Sequence, residues 1–240
     1  MSHHIHYLPL SPAFFSALVV LFVLLVALIQ VGILRYAYMR LGVSSRVALL
    51  LLLASLIGSA LNIPVAELPG QQVLTGQAVD FFGTRYSVPV VVDWPGTVVA
   101  VNVGGALIPS LMSLYLLARN RLWGLGLVAT ASIAVVCHWL AYPVPGVGIA
   151  LPIFVPPLVS AGAAWLLSRR HAAVLAYTGG SLGTLIGADL LNLDKLQGLG
   201  APVASIGGAG TFDGIFLTGI LAVLIASLAP RHASENSGTA

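Results

Sequence analysis

Charge is what this chain has least of. Only 7% of its 240 residues are Asp, Glu, Lys or Arg, against 58% hydrophobic, whereas soluble domains carry about 25% charged residues. With a mean hydropathy of +1.01, that deficit argues against an ordinary soluble domain and implies an integral membrane protein. The single cysteine, Cys137, excludes an internal disulfide. The sequence pI is near 9.3, but the basic residues are scattered at the ends of apolar runs and form no patch interleaved with aromatics. No nucleic-acid partner is expected. The N-terminal His3, His4 and His6 have no acid or cysteine beside them and are not read as a metal site. The glycine-rich stretch Tyr177 to Gly183 lacks the Lys-Ser/Thr ending of a phosphate loop. Neither a metal nor an organic cofactor is implied. The first apolar run has no basic region before it and no A-x-A-like site after it, so it is expected to be retained rather than cleaved as a signal peptide.

What the chain does have is apolar runs. Seven of about 20 residues, long enough to span a bilayer, fall at Pro12–Tyr36, Val47–Ile63, Thr97–Ala118, Leu122–Tyr142, Val147–Ser168, Ala172–Leu191 and Ser205–Ala229. The expected fold is therefore an all-α integral membrane protein of about seven transmembrane helices, one domain over residues 1–230, in contact with membrane lipid. Threading the chain this way puts Arg35, Arg40, Arg46, Arg119, Arg121, Arg169, Arg170 and Arg231 on one side, with Arg85 and Lys195 on the other. The positive-inside rule then sets the N-terminus outside and the C-terminus in the cytoplasm, in a multi-pass plasma-membrane arrangement. The tail 231–240 is expected to be disordered. The one long connection, between helices two and three, holds β-branched and aromatic residues on either side of Gly83. It predicts a small extracytoplasmic β-hairpin over about residues 70–93, with Pro89 marking a free edge. Such a hairpin either caps the bundle or receives an extended peptide as an added strand.

Of seven acids, only Asp189 and Asp213 fall within spanning runs. Each lies 18 residues from the inner end of its helix, at His171 and Arg231, about 27 Å along the helix axis. Consecutive antiparallel helices would bring them to one depth as a facing pair. Gly179, Gly183 and Gly187 on helix six, and Gly210 and Gly214 on helix seven, have the small-xxx-small spacing that allows close approach. Two carboxyls sharing one proton supply a base to activate water and an acid to protonate a leaving nitrogen. An ionisable group in the membrane costs at least about 2.5 kcal/mol, which favours function. The structural alternative is that each aspartate is satisfied by Asn102, Thr211, Thr218 or Ser181. Asn102 is a candidate either for positioning substrate or for an interhelical hydrogen bond. Pro152, Pro156 and Pro157 predict a kink in helix five that opens a cavity. His138 reads as a packed interfacial residue beside Trp139, with a ligand or relay role as the alternative.

The segment Gly208-Ala209-Gly210-Thr211-Phe212-Asp213, preceded by Asp189 on the neighbouring helix, resembles the GxGD intramembrane aspartyl proteases of the presenilin, signal peptide peptidase and prepilin peptidase type. Thr211 and Phe212 stand between the glycines and the acid, and Ala188 stands where presenilin-type enzymes have tyrosine. The resemblance implies an aspartic endopeptidase with Asp189 and Asp213 catalytic, acting on membrane-embedded or membrane-proximal peptides. Asn102, Gly208, Gly210 and Thr211 are the candidate substrate-binding residues. Over a larger part of the chain, the stretches VAVNVGGALIPSLMSLYLL, GADLLNLDKL and GAPVASIGGAGTFDGIFLTGILAVLIA resemble an uncharacterised prokaryotic membrane family, the domain-of-unknown-function family 1614. That family implies a multi-span protein and supplies no activity. The competing functions are a proton- or cation-coupled transporter or channel using the same acids, and a noncatalytic scaffold. Against the transporter, the chain has no internal repeat and seven helices do not divide evenly into inverted repeats.

Overall fold

A computed structural model describes residues 12–30, 39, 41–81, 84–94, 96–144, 148–196, 199, 201–208 and 214–228. Within these residues the α-helices are α1 (Pro12–Gln30), α2 (Ser45–Gly58), α3 (Ile108–Asn120), α4 (Trp123–Leu140), α5 (Val155–Leu167), α6 (Ala172–Thr184) and α7 (Gly214–Leu228). Seven strands accompany them: β1 (Asn62–Leu68), β2 (Gln71–Phe81), β3 (Thr84–Trp94), β4 (Thr97–Asn102), β5 (Tyr142–Val144), β6 (Gly148–Ala150) and β7 (Val203–Ile206).

The all-α, seven-span expectation is therefore corrected. Among the described residues only Trp123–Leu140 and Ala172–Leu196 form helices long and apolar enough to cross a membrane. The apolar runs are divided between strand and helix. The run Thr97–Ala118 opens as β4, turns through a π-helical segment at Val103–Leu107, and only then becomes α3. Likewise β6 precedes α5, and β7 precedes α7. The physical reason lies in residue type. Thr97, Val98, Val99 and Val101 are β-branched, a preference of strands, and an apolar run cannot by its periodicity distinguish a buried strand from a buried helix. β4 is the central strand of a three-stranded sheet, in the order β1-β4-β7, and it is buried or half-buried at every position, so Val98 to Val101 are apolar without alternation.

In that sheet β1 runs antiparallel to β4, from Asn62 opposite Asn102 to Leu68 opposite Thr97, with an irregularity between Pro64 and Ala66. Proline has no N–H to give the ladder, so the register shift falls where a bond is missing anyway. On the other side β7 runs parallel to β4, Val98 opposite Val203 and Val101 opposite Ile206, and Thr97 Oγ1 donates to Ala201 O at 2.8 Å. The hairpin between α2 and α3 pairs β2 with β3 from Gln71 opposite Trp94 to Phe81 opposite Thr84. Its tip, including Gly83, lies outside the described residues, as does the tail 231–240.

The helices gather around α6, which packs against α3, α4, α5 and α7; Leu175, Ala176, Thr178 and Ser181 on it are fully buried. Its glycines are divided among its neighbours. Gly179, Gly183 and Gly187 face α4, where a methyl at Gly183 would stand 2.6 Å from Ile133 Cβ. Gly180 instead meets Ser160 of α5 and Thr218 and Ala222 of α7. The regular glycine stripe thus brings α4, not α7, close to α6.

Candidate functional site

Where the helices meet the small strands there is a cavity of about 540 Å³. One wall is β6 and the segment leading into α5, including Leu151, Pro152 and Pro156. Another is the end of α6 with Thr184, Ala188, Asp189 and Leu193, and the third is β7 with its exit, Ser205 to Gly208, together with Ile215 and Thr218 of α7. The prolines do not kink a helix here. They mark its start, with Pro156 in the first turn of α5, a position where the missing N–H is not needed.

Asp189 is the last residue of a π-helical segment, Leu185–Asp189, that continues α6. It is half-buried and lines the cavity. Its Oδ2 accepts a hydrogen bond from Gly207 N at 2.6 Å, which holds the carboxyl in a fixed orientation. Gly207 adopts φ +83°, a left-handed conformation that only glycine takes without strain. A methyl there would lie 2.6 Å from both Ala106 Cβ and Ala106 N. Glycine therefore turns the chain out of β7 so that its N–H meets the carboxylate. The surroundings of Asp189 are otherwise largely apolar, and a carboxyl so placed can exchange a proton with a bound group or accept a hydrogen bond from it. Among the described residues no three His, Cys, Asp or Glu side chains come together as a metal site.

Gly208 also lines the cavity. Asn102 stands behind the wall, buried, and its polar atoms bond within the protein. Its Oδ1 accepts from Gly105 N at 2.8 Å, capping the π-helical turn, and its Nδ2 donates to Ser59 O at 2.9 Å and Asn62 Oδ1 at 3.2 Å. A chain of bonds continues to the cavity, because Ser205 Oγ, in the wall, donates to that same Asn62 Oδ1 at 2.5 Å. Asp213, Gly210 and Thr211 lie outside the described residues. In the sequence Asp213 immediately precedes Gly214, the first residue of α7.

Sequence reasoning did not single out Asn62, Ser205, Gly207 or Asn192. Ser205 and Gly207 were hidden by reading β7 as the start of a helix. Asn62 falls at the end of the second apolar run, where an asparagine draws no attention. Asn192 followed Asp189 in a stretch read as a loop, and the fact that it is fully buried has no signature in a single sequence.

No curated protein and no solved structure matches the chain. A family model does match, over residues 56–225, a range that contains β1 to β7, helices α3 to α6 and the whole described wall of the cavity. The chain belongs to the family described as Protein of unknown function (DUF1614).

Proposed function

We propose that this protein is a membrane-embedded aspartyl hydrolase that cleaves peptide bonds of membrane-embedded or membrane-proximal substrates in the cavity beside Asp189. The observation that carries the reading is the carboxyl of Asp189, lining a largely apolar cavity and anchored through one oxygen by Gly207 N–H. A scaffold whose acid served only to lock helices would bury it in a dry core. Here the acid lines a space large enough for a peptide segment and water. The second carboxyl is Asp213, placed by the sequence one residue before α7, whose Ile215 and Thr218 line the same cavity. One carboxyl would take a proton from water while the other protonates the departing nitrogen, and the pair titrates as a unit.

A bilayer setting is supported by two features. Large apolar side chains are exposed along α4 and α5, including Leu127 at 70% and Leu166 at 82%, an arrangement that suits lipid rather than water. Arg119 and Arg121 fall at the junction of α3 and α4, and Arg169 and Arg170 at the junction of α5 and α6, a clustering of basic residues at helix ends that the positive-inside rule would place on a cytoplasmic face.

The test is cleavage of a fluorogenic transmembrane peptide library by the full chain in liposomes. Asp189→Asn and Asp213→Asn are each expected to abolish cleavage. In Asp189→Asn the amide oxygen still accepts from Gly207, so the melting temperature should stay within a few degrees of wild type. Full cleavage by either variant would sink the dyad. Proton or cation flux through the same liposomes, lost in both variants and without peptide cleavage, would support the transporter instead.

A further inference from the structure

The segment that carries Asp189 does not run on as regular α-helix. After the π-helical turn the chain passes into a 3₁₀ segment, Leu190–Leu196, and leaves helical geometry at Asn192, with φ −120° and ψ 16°. Helices leave their last carbonyls without intrahelical donors, and a buried carbonyl without a partner is costly. The Asn192 side chain fills this need. It is fully buried, and its Nδ2 donates to Gly187 O at 2.7 Å and Ala188 O at 3.0 Å. Its Oδ1 accepts from Lys195 Nζ at 2.6 Å. Both amide hydrogens and the oxygen are engaged, and the lysine fixes which end faces the carbonyls, because an ammonium only donates. The two carbonyls belong to the residues immediately before Asp189. On the opposite side Gly187 lies directly against Ala134 of α4, with room for no methyl.

We propose that Asn192, oriented by Lys195, is the positioning residue for Asp189. It ties down the backbone that delivers the carboxyl into the cavity, while Gly207 orients the carboxyl itself. The inference rests on the reading of Asp189 as the reacting group of that cavity. It assigns Asn192 no contact with substrate.

The experiment uses the full chain in phosphatidylcholine liposomes and dicyclohexylcarbodiimide, an apolar reagent that adds a carboxylic acid across its C=N bond. The adduct at Asp189 is quantified by mass spectrometry, with a thermal melt in parallel. The wild type should be modified at Asp189, and Asn192→Leu, similar in size but without donors, should react about tenfold more slowly, the scale of a misplaced reacting group. Should Asn192→Leu fail to fold, the Lys195 variants decide. Lys195→Met should slow modification, and Lys195→Arg, which keeps a donor for Asn192 Oδ1, should restore the wild-type rate. A wild type unmodified at Asp189, a folded Asn192→Leu that reacts at the wild-type rate, or, where that variant does not fold, equal rates for Lys195→Met and Lys195→Arg would overturn the proposal. Absence of peptide cleavage by the wild type would overturn the hydrolase reading alone and leave this comparison standing.

Discussion

At the scale of single residues, the site depends on glycine as much as on acid. Gly207 has both a positive φ and a neighbour at van der Waals contact, so two penalties combine in any substitution. A left-handed conformation costs an L-residue about 1–2 kcal/mol, and an added methyl in a filled space about 1–3 kcal/mol. Gly207→Ala is expected to lower stability by about 2–5 kcal/mol, read from thermal unfolding in detergent. Since the N–H of residue 207 is the anchor of Asp189, the same variant should lose carbodiimide modification at Asp189 even at temperatures where it stays folded. A variant as stable as wild type would mean that the turn out of β7 is not tight. The contrast with Asp189 is instructive. An acid in an apolar run is conspicuous in a sequence, whereas the glycine that holds it looks like any other of the 26 glycines in the chain.

At the scale of elements, the α4–α6 contact is set by Gly179, Gly183 and Gly187, each of which has α4 atoms where a side chain would go. Gly162 on α5 has nothing within 4 Å of the same position. Gly187→Ala should therefore destabilise by about 1–3 kcal/mol through forced separation of the helices, while Gly162→Ala should be neutral or stabilise by up to about 1 kcal/mol through helix propensity. Equal melting temperatures for the two variants would show that α4 and α6 are not in tight contact. Much of this level could be read from the residues. The pairing of the two strands that flank residues 82–83 and the close contact made by the glycine stripe are legible in the residues. The helix boundaries are not, because Val98 to Val101 and Val203 to Ile206 are apolar enough for a spanning helix, and the strands are completed by pairing of the first segment with β1 and of both segments with each other. Partnership of that kind depends on residues a hundred positions apart and leaves no local trace. The partner of the glycine stripe was also misassigned, since three glycines at i, i+4 and i+8 announce a close contact without naming its other side.

At the scale of the whole molecule, the two tryptophans of α4 bracket the apolar surface. Trp123 and Trp139 are 54% and 84% exposed and 16 residues apart, about 24 Å along the helix, close to the roughly 30 Å of a hydrocarbon core. On the proposed bilayer setting, in which such tryptophans lie at the interfaces, they should each be quenched best by lipids brominated near the headgroup in single-tryptophan variants. Strongest quenching of either by bromines near the acyl-chain ends would argue against α4 spanning the bilayer between them. The parallel pairing of β4 with β7 bears on assembly. A protein is made from its N-terminus, and earlier segments begin to fold before later ones exist. The strand Thr97–Asn102 has its β1 partner at once, but its other edge waits for residues 203–206. Until those residues arrive, Gly207 cannot engage Asp189, and the third wall of the cavity is missing. The arrangement delays completion of the site until the chain has been made past residue 207, so that a chain stalled before that point would carry the acid without its anchor.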